Sequence, residues 1–363
     1  MRVCLNMIVR DEAAVIERCL ASVRPHIDAW VIVDTGSVDD TPERVQRALQ
    51  GLPGELHHRP WRDFAHNRNE ALQLARGRGD WLLFIDADES LGCAPGAVWP
   101  GLQGPAQMLE TRFANLRYDR LALVDARQPS AWRGVLHEYL ELDPPGPYPR
   151  VPGFWIDVTT EGARSRDPRK FHKDAALLQA ALQREPGNAR YQFYLAQSWR
   201  DAGEWAQARA AYRQRAAMGG WEEEVWYSRF EAARMDELLG EPAAQVIDAY
   251  LAAHDQRPQR AEPLVALASY LRGQQRWASA RVFAERAAQL PLATDQLFVD
   301  AAAHGWRARD EWALACYYTG DRALAGRLWR ALLEEQSLPA AERLRIEANL
   351  GFVDAGGSTP AQG

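Results

Sequence analysis

The sequence predicts an α/β unit followed by an all-α unit, on three observations. Short apolar runs alternate with helical patterns near the N-terminus. Acidic and polar residues gather where those runs end. Beyond Pro168 the composition turns to Ala, Leu, Arg, Gln and Glu, with small residues and aromatics recurring at a steady interval. The expected division is an α/β domain over 1–168, helical repeats over 169–353 and a disordered tail over 354–363.

The first strand is expected at 3–9, Val3-Cys4-Leu5-Asn6-Met7-Ile8-Val9, and a helix from Ala13 to about Val23. A second strand, Trp30-Val31-Ile32-Val33, runs into Asp34-Thr35-Gly36-Ser37. Asp40 or Thr41 is positioned to cap the next helix, with Pro42 at its first position and Glu43 complementing its dipole. Strand and helix alternating through short connectors is the pattern of a parallel, helix-covered sheet, in which ligands gather beyond the carboxyl ends of the strands. A further buried strand, Trp81-Leu82-Leu83-Phe84-Ile85, leads into Asp86-Ala87-Asp88-Glu89-Ser90. Alternation sends Asp86 and Asp88 to one side, where two carboxylates can hold a divalent cation against a diphosphate. An isolated Asp-x-Asp would as readily be an acidic turn. Here it is accompanied by Arg10-Asp11 and Asp34-Thr35-Gly36-Ser37 at other strand ends.

Asn6-Met7-Ile8-Val9-Arg10-Asp11-Glu12, the stretch from Val33 to Thr41, and Asp86-Ala87-Asp88 resemble the nucleotide-sugar signature of family 2 glycosyltransferases, which have the GT-A (Rossmann-like) fold. Phe64-Ala65-His66-Asn67-Arg68-Asn69-Glu70 is similar to that family's Arg-Asn segment, which opens the helix before the metal-binding strand. Within the family the chain looks most like short bacterial enzymes, among them lipopolysaccharide-core and bacteriocin peptide glycosyltransferases. The resemblance covers roughly the first half of the chain.

The resemblance implies a metal-dependent, inverting transfer from a nucleoside diphosphate sugar, a UDP-hexose being favoured, with Mn2+ or Mg2+ as cofactor. The donor would meet Val9, Arg10, Glu12, Asp34, Gly36, Arg68, Asp86 and Ala87. Asp34 would read the base and Arg68 neutralise phosphate. Asp88 would ligate the metal directly, with Asp86 contacting it through water or contacting the ribose. Asp39 and Asp40 fit loop acids or caps as well as ligand contacts. The stretch Trp132-Arg133-Gly134-Val135-Leu136-His137-Glu138-Tyr139-Leu140 resembles the His-Glu segment of related short transferases. It offers Glu138 as catalytic base, with His137 as alternative base or as a metal or phosphate contact. The family often carries a Glu-Asp pair here, and this chain does not. His172 and Lys173 would either close over the diphosphate or simply start a helix.

The remaining sequence sets bounds. At 363 residues the chain accommodates two domains, and its net charge of −6 argues against a general nucleic-acid binder. Cys4, Cys19, Cys93 and Cys316 show no Cys-x-x-Cys spacing, which fits a reduced cytoplasm. Neither a signal peptide nor a membrane span is expected, though peripheral attachment to the inner membrane stays compatible. In the second half, Leu195, Trp199, Gly203, Ala208 and Tyr212 follow a tetratricopeptide helix pair. Ala233 with Gly240, then Ala268, Leu271, Ala280 and Ala287, then Ala313, Cys316, Gly320, Ala325 and Trp329 continue it, with an insertion around 291–309. Such an α-solenoid offers a surface for a polypeptide or a second copy of the chain, or serves as a scaffold. A peptide or protein acceptor follows from the repeats, and a glycan acceptor from the catalytic half. The aromatics of 221–227 are expected in inter-repeat core. Two competitors remain: a haloacid-dehalogenase-like phosphotransferase using Asp86, and a non-catalytic repeat adaptor.

Overall fold

The computed structural model describes residues 1–335 and 338–354, with only the backbone described at Ser165 and Arg166. The expected tail from 355 lies outside the described residues. The chain forms two compact units, Met1–Ala202 and the remainder from Gly203.

The first unit is built on a mixed sheet of order β3-β2-β1-β4-β7-β6-β10-β5. The strands are β1 (Val3–Val9), β2 (Ala29–Asp34), β3 (Gly54–His58), β4 (Trp81–Phe84), β5 (Glu89–Cys93), β6 (Ala106–Phe113), β7 (Leu116–Asp125) and β10 (Arg150–Val158). Strands β3, β2, β1 and β4 run parallel to one another, while β7 runs antiparallel to β4 and to β6. A separate hairpin joins β8 (Ser130–Arg133) to β9 (Tyr139–Leu142). Around them lie α1 (Ile16–Val23), α2 (Thr41–Ala48), α3 (Phe64–Ala75), α4 (Lys170–Arg184) and α5 (Ala189–Asp201).

Strand β1 is central because both of its neighbours are parallel strands, which is why its sequence is apolar almost throughout. Helix α1 begins at Ile16 rather than Ala13. The intervening residues form a turn in which the Glu12 carbonyl accepts from the Val15 and Ile16 amides, and Asp11 has φ 56°. Strand β3 pairs with β2 alone at the sheet edge. Its sequence, Gly-Glu-Leu-His-His, carries no apolar run, so nothing in the pattern announced it. The indole of Trp30 covers Gly54 so closely that a Cβ there would lie 2.3 Å from a ring atom. Strand β4 stops at Phe84, one residue before the apolar run ends. Asp86 and Asp88 therefore sit in the connector to β5 and not in a strand.

The second unit contains α6 (Trp205–Ala217), α7 (Glu222–Leu238), α8 (Ala243–Gln256), α9 (Glu262–Gly273), α10 (Trp277–Ala288), α11 (Trp306–Tyr318), α12 (Arg322–Leu333) and α13 (Ala340–Asp354). Each packs on the next in sequence. The hairpin turns after α7, α9 and α11 close in the same way. Glu241 N–H reaches Asp236 O at 3.0 Å, Arg276 N–H reaches Leu271 O at 2.9 Å, and Asp321 N–H reaches Cys316 O at 2.9 Å. The left-handed residue of these turns is Gly240, Gln275 or Gly320. The repeat residues Ala208, Tyr212, Ala233, Ala268, Leu271, Ala280, Ala287, Ala313, Cys316, Ala325 and Trp329 are all buried. Small side chains let the helices approach, and the aromatics fill what remains. Trp226 and Tyr227 are core as expected, whereas Trp221 is exposed. The expected fold class is observed as a Rossmann-like α/β unit with a mixed sheet, followed by helical repeats. The boundary between the compact units falls after α5, so the helix pair α4–α5 groups with the sheet.

Candidate active site

Two loops at the ends of β1 and β2 are stitched together by their own polar groups. The Asp34 carboxylate is buried, accepts from the Gly36 and Ser37 amides and the Ser37 hydroxyl, and meets His58 Nδ1 at 3.2 Å. Ser37 Oγ in turn accepts from the Asp11 amide at 2.9 Å, and Asp11 Oδ1 accepts from Val38 N–H at 2.7 Å. Asp39 accepts from Ala13 N–H and from the Thr41 amide, so it secures both loops and the start of α2. Asp40 pairs with Arg44 at 2.9 Å. Asp39 thus acts as a tie between loops, while Asp40 stands at the N-cap position of α2 without a side-chain capping bond. The Val9 carbonyl accepts from Thr35 N–H, the Arg10 side chain is half exposed, Gly36 has φ 105°, and Ala87 is buried.

The connector after β4 is held from beneath by Glu89. This carboxylate, 4% exposed, takes a two-pronged pair from Arg120 on β7 and accepts the Asp86 amide at 2.9 Å. The Asp86 side chain then receives Arg68 Nη2 at 2.7 Å, with Arg120 4.0 Å away. Arg68 Nε is bonded to Glu138 Oε1, and its guanidinium lies 5.0 Å from the Trp132 ring. Asn69, next to Arg68 on α3, brackets the Trp132 backbone, donating to its carbonyl at 3.0 Å and accepting its amide at 2.8 Å. Helix α3 thereby fixes the β8–β9 hairpin against the connector.

The two acids of the connector have opposite electrostatics. Burial works against the Asp86 carboxylate, but Arg68 and Arg120 outweigh it and hold the group below its ordinary range. Burial and then the Asp86 charge push Asp88 up, and among the described residues no cation lies within ion-pair distance of it. The Asp88 carbonyl accepts from the Thr159 amide and hydroxyl. Gly162 passes so close that a Cβ there would stand 2.7 Å from Asp88 Oδ2. The adjacent Ala163 N–H bonds to the Glu12 carboxylate, at 3.2 and 3.3 Å from its two oxygens.

The structure brings Asp86, Arg68 and Glu138 into one chain of contacts beside Asp88. His137 does not join it. Its ring stacks on Tyr194 of α5 at 4.0 Å, and its carbonyl accepts two bonds from Arg190. His137 keeps solvent access, yet the dense packing around its ring, then Arg164, Arg190 and Lys170, hold its pKa well below the ordinary value. His172 packs edge-on to Trp199, and Lys173 pairs with Asp167 at 2.5 Å, at the start of α4. Among the described residues no three His, Cys, Asp or Glu side chains gather as a ready metal cage. Mg2+ and Mn2+ need none when phosphate oxygens and water complete the shell around one or two carboxylates. Asp88, raised by burial and then by the Asp86 charge, with no cation at ion-pair distance among the described residues, has the chemistry such an ion would relieve. The residues present fit a site of that kind, in which Asp88 would be the ligand.

Sequence reasoning missed Arg120, Arg190 and Tyr194. Arg120 meets Glu89 from a strand more than thirty positions on, and the α5 residues come from a stretch whose composition announced only repeats. Glu89 stood in the acidic motif, and its burial was the one available signal.

An α/β unit with a polar site at the carboxyl ends of parallel strands defines a ligand-binding class rather than a single activity. The comparisons narrow it. Residues 4–92 match the family model "Glycosyl transferase family 2". A TPR repeat-containing protein of Synechococcus elongatus is 46% identical over 91 residues, 25% of this chain and 21% of the relative. The SPbeta prophage-derived glycosyltransferase SunS of Bacillus subtilis is 31% identical over 84 residues, 23% of this chain and 19% of that protein. An uncharacterized glycosyltransferase of Rickettsia felis is 34% identical over 85 residues, 23% of this chain and 28% of that protein. The matched stretch thus spans well under a third of each of these relatives. Among solved structures, a tetratricopeptide repeat protein from Parabacteroides merdae covers 52% of this chain and is itself covered over 69%, with TM-score 0.40 and 17% identity. A likeness that slight carries no argument, and the repeats rest on the helix pairs themselves. The chain thus carries at residues 4–92 a segment that matches the family 2 glycosyltransferase model, followed by helical repeats.

Proposed function

We propose that the chain is a glycosyltransferase that moves a hexose from a uridine diphosphate donor, with inversion, to a polypeptide acceptor. The observation that carries this reading is Asp88, a carboxylate with no cationic partner at ion-pair distance among the described residues, beside the Arg68-bound Asp86, at the end of the segment that matches family 2. The acceptor nucleophile attacks the anomeric carbon, the bond to the diphosphate oxygen breaks, and that oxygen keeps the electron pair. A divalent cation held by Asp88 would supply charge neutralisation for the leaving diphosphate. Asp86 would contact the ribose, or the metal through water, and Arg68 binds both Asp86 and Glu138. Glu138 takes the acceptor proton. One of its oxygens is bound by Arg68, while Oε2 accepts no bond among the described residues, which suits a base. The phosphotransferase reading is weaker, because its nucleophile would be Asp86, whose carboxylate Arg68 already engages.

The acceptor reading rests on the helical repeats, an architecture that commonly presents side chains to polypeptides. Four free cysteines, three of them buried, favour a cytoplasmic setting, and among the described residues no helix is long and apolar enough to cross a membrane. With UDP-glucose and manganese but no acceptor, the protein is expected to release UDP slowly, water replacing the acceptor. Absence of release from UDP-glucose, UDP-galactose and UDP-N-acetylglucosamine alike would remove the donor assignment.

A further inference from the structure

We infer that helix α5 belongs to the transfer site: Arg190 and Tyr194 are positioning residues that hold the 134–138 turn, and through it the Glu138 carboxylate. This inference rests on the proposed role of Glu138.

The turn joins β8 to β9 and is unusual in its backbone. Gly134 has φ 111° and His137 φ 49°. A Cβ at Gly134 would lie 3.3 Å from the Glu138 Cα, so the chain folds back tightly on itself. A side-chain-bearing residue at φ near +50° persists where its surroundings impose it. Here α5 imposes it. Arg190 Nε and Nη2 donate to the His137 carbonyl at 3.1 and 2.9 Å. The Tyr194 ring lies parallel to the His137 imidazole, 10° between planes. Tyr191, between them on the helix, is buried. Residues 190, 191 and 194 share one face of the helix.

Arg190 is itself fixed. Its guanidinium lies 5.1 Å from the Tyr139 ring and 5.0 Å from the Tyr194 ring, so a planar cation sits against both aromatics while it grips the carbonyl. Glu138 follows His137 directly. If His137 relaxed to negative φ, the next residue would swing, and the bond from Arg68 to Glu138 would be lost. The turn is thus held from two sides, by α3 through Arg68 and by α5 through Arg190 and Tyr194.

The test uses the full chain with UDP-glucose and manganese, following UDP release, together with the imidazole resonances of His137 in histidine-labelled protein. Arg190→Gln and Tyr194→Leu are expected to lower kcat at least tenfold with donor KM within twofold of wild type. Arg190→Lys keeps the charge but loses the two-pronged bond and is expected to lower kcat as well. Tyr194→Phe keeps the ring and should retain kcat. The His137 ring-current shift should vanish in Tyr194→Leu and survive in Tyr194→Phe, a readout that needs no activity. Full kcat in Arg190→Gln and Arg190→Lys, or a raised donor KM at unchanged kcat, would overturn the inference while leaving the donor reading intact. If the wild type turns over no donor, the donor reading fails, and the resonance decides alone: an unshifted His137 ring overturns the positioning.

Discussion

Asp86 and Asp88 stand two positions apart in the same connector and are put to different uses by their neighbours. Arg68 and Arg120 hold the Asp86 charge in place, whereas burial and Asp86 itself disfavour the charge on Asp88. Asp88→Asn keeps the size of the side chain and removes the anionic ligand, so transfer should fall to background while the circular dichroism and unfolding midpoint stay at or above wild type. Full activity of Asp88→Asn at the manganese or magnesium concentration that serves the wild type would contradict the ligand role. Glu138→Gln should lower turnover by the roughly hundred- to ten-thousandfold expected for a lost general base, with donor affinity nearly unchanged. Donor affinity that collapses with the rate would make Glu138 a donor contact instead. The acids were legible in the sequence because the motif is local: an apolar run fixes the strand, and the residues that follow it must emerge at its end. Their partners were not. Arg120 and Arg190 reach the site from distant positions, and nothing in an isolated arginine tells which carboxylate or carbonyl it will meet.

At the scale of elements, the insertion between α10 and α11 is held by buried charge. Arg260, fully buried, pairs with Glu262 and Asp295, donates to the Leu297 and Phe298 carbonyls, and lies 4.1 Å from the Trp226 ring. Glu223 accepts the Gln296 and Leu297 amides at 2.8 Å each. Arg260→Met would take from the buried Glu262 its arginine partner, leaving it His304 at 3.4 Å while Asp295 keeps Arg257, at a cost of roughly 3–5 kcal/mol. Hydrogen exchange in 291–305 and at the start of α9 should accelerate accordingly, and unchanged exchange there would refute the clamp. The Glu262 carboxyl, against its burial, is drawn by Arg260 and His304 from an ordinary 4.5 to about 2. Its stabilising contribution is present above pH 4.5 and is lost as pH falls toward 2. Exchange in this segment should therefore rise through that acid window, and Glu262→Gln should flatten the rise. The sequence announced an insertion here by breaking the repeat spacing. It could not announce the clamp, since Arg260, Glu223 and Asp295 come from three separate stretches. Strand β3 escaped for a different reason: an edge strand with one sheet neighbour needs no apolar run.

At the scale of the whole molecule, the chain joins a segment whose family is recognisable to a run of helix pairs, and the repeat period made that division legible. The grouping of α4 and α5 with the first unit was not legible, because helical composition is the same whether a helix serves a repeat or packs with an α/β unit. Everything proposed for the first unit depends on one claim, that Asp88 and a divalent cation together hold a nucleoside diphosphate. Calorimetric titration of the full chain with UDP, in manganese and again in EDTA, tests it most directly. The account predicts saturable binding in manganese that disappears in EDTA and in Asp88→Asn. Binding that persists in both, or no binding of UDP, GDP, CDP or TDP in the presence of the metal, would contradict it.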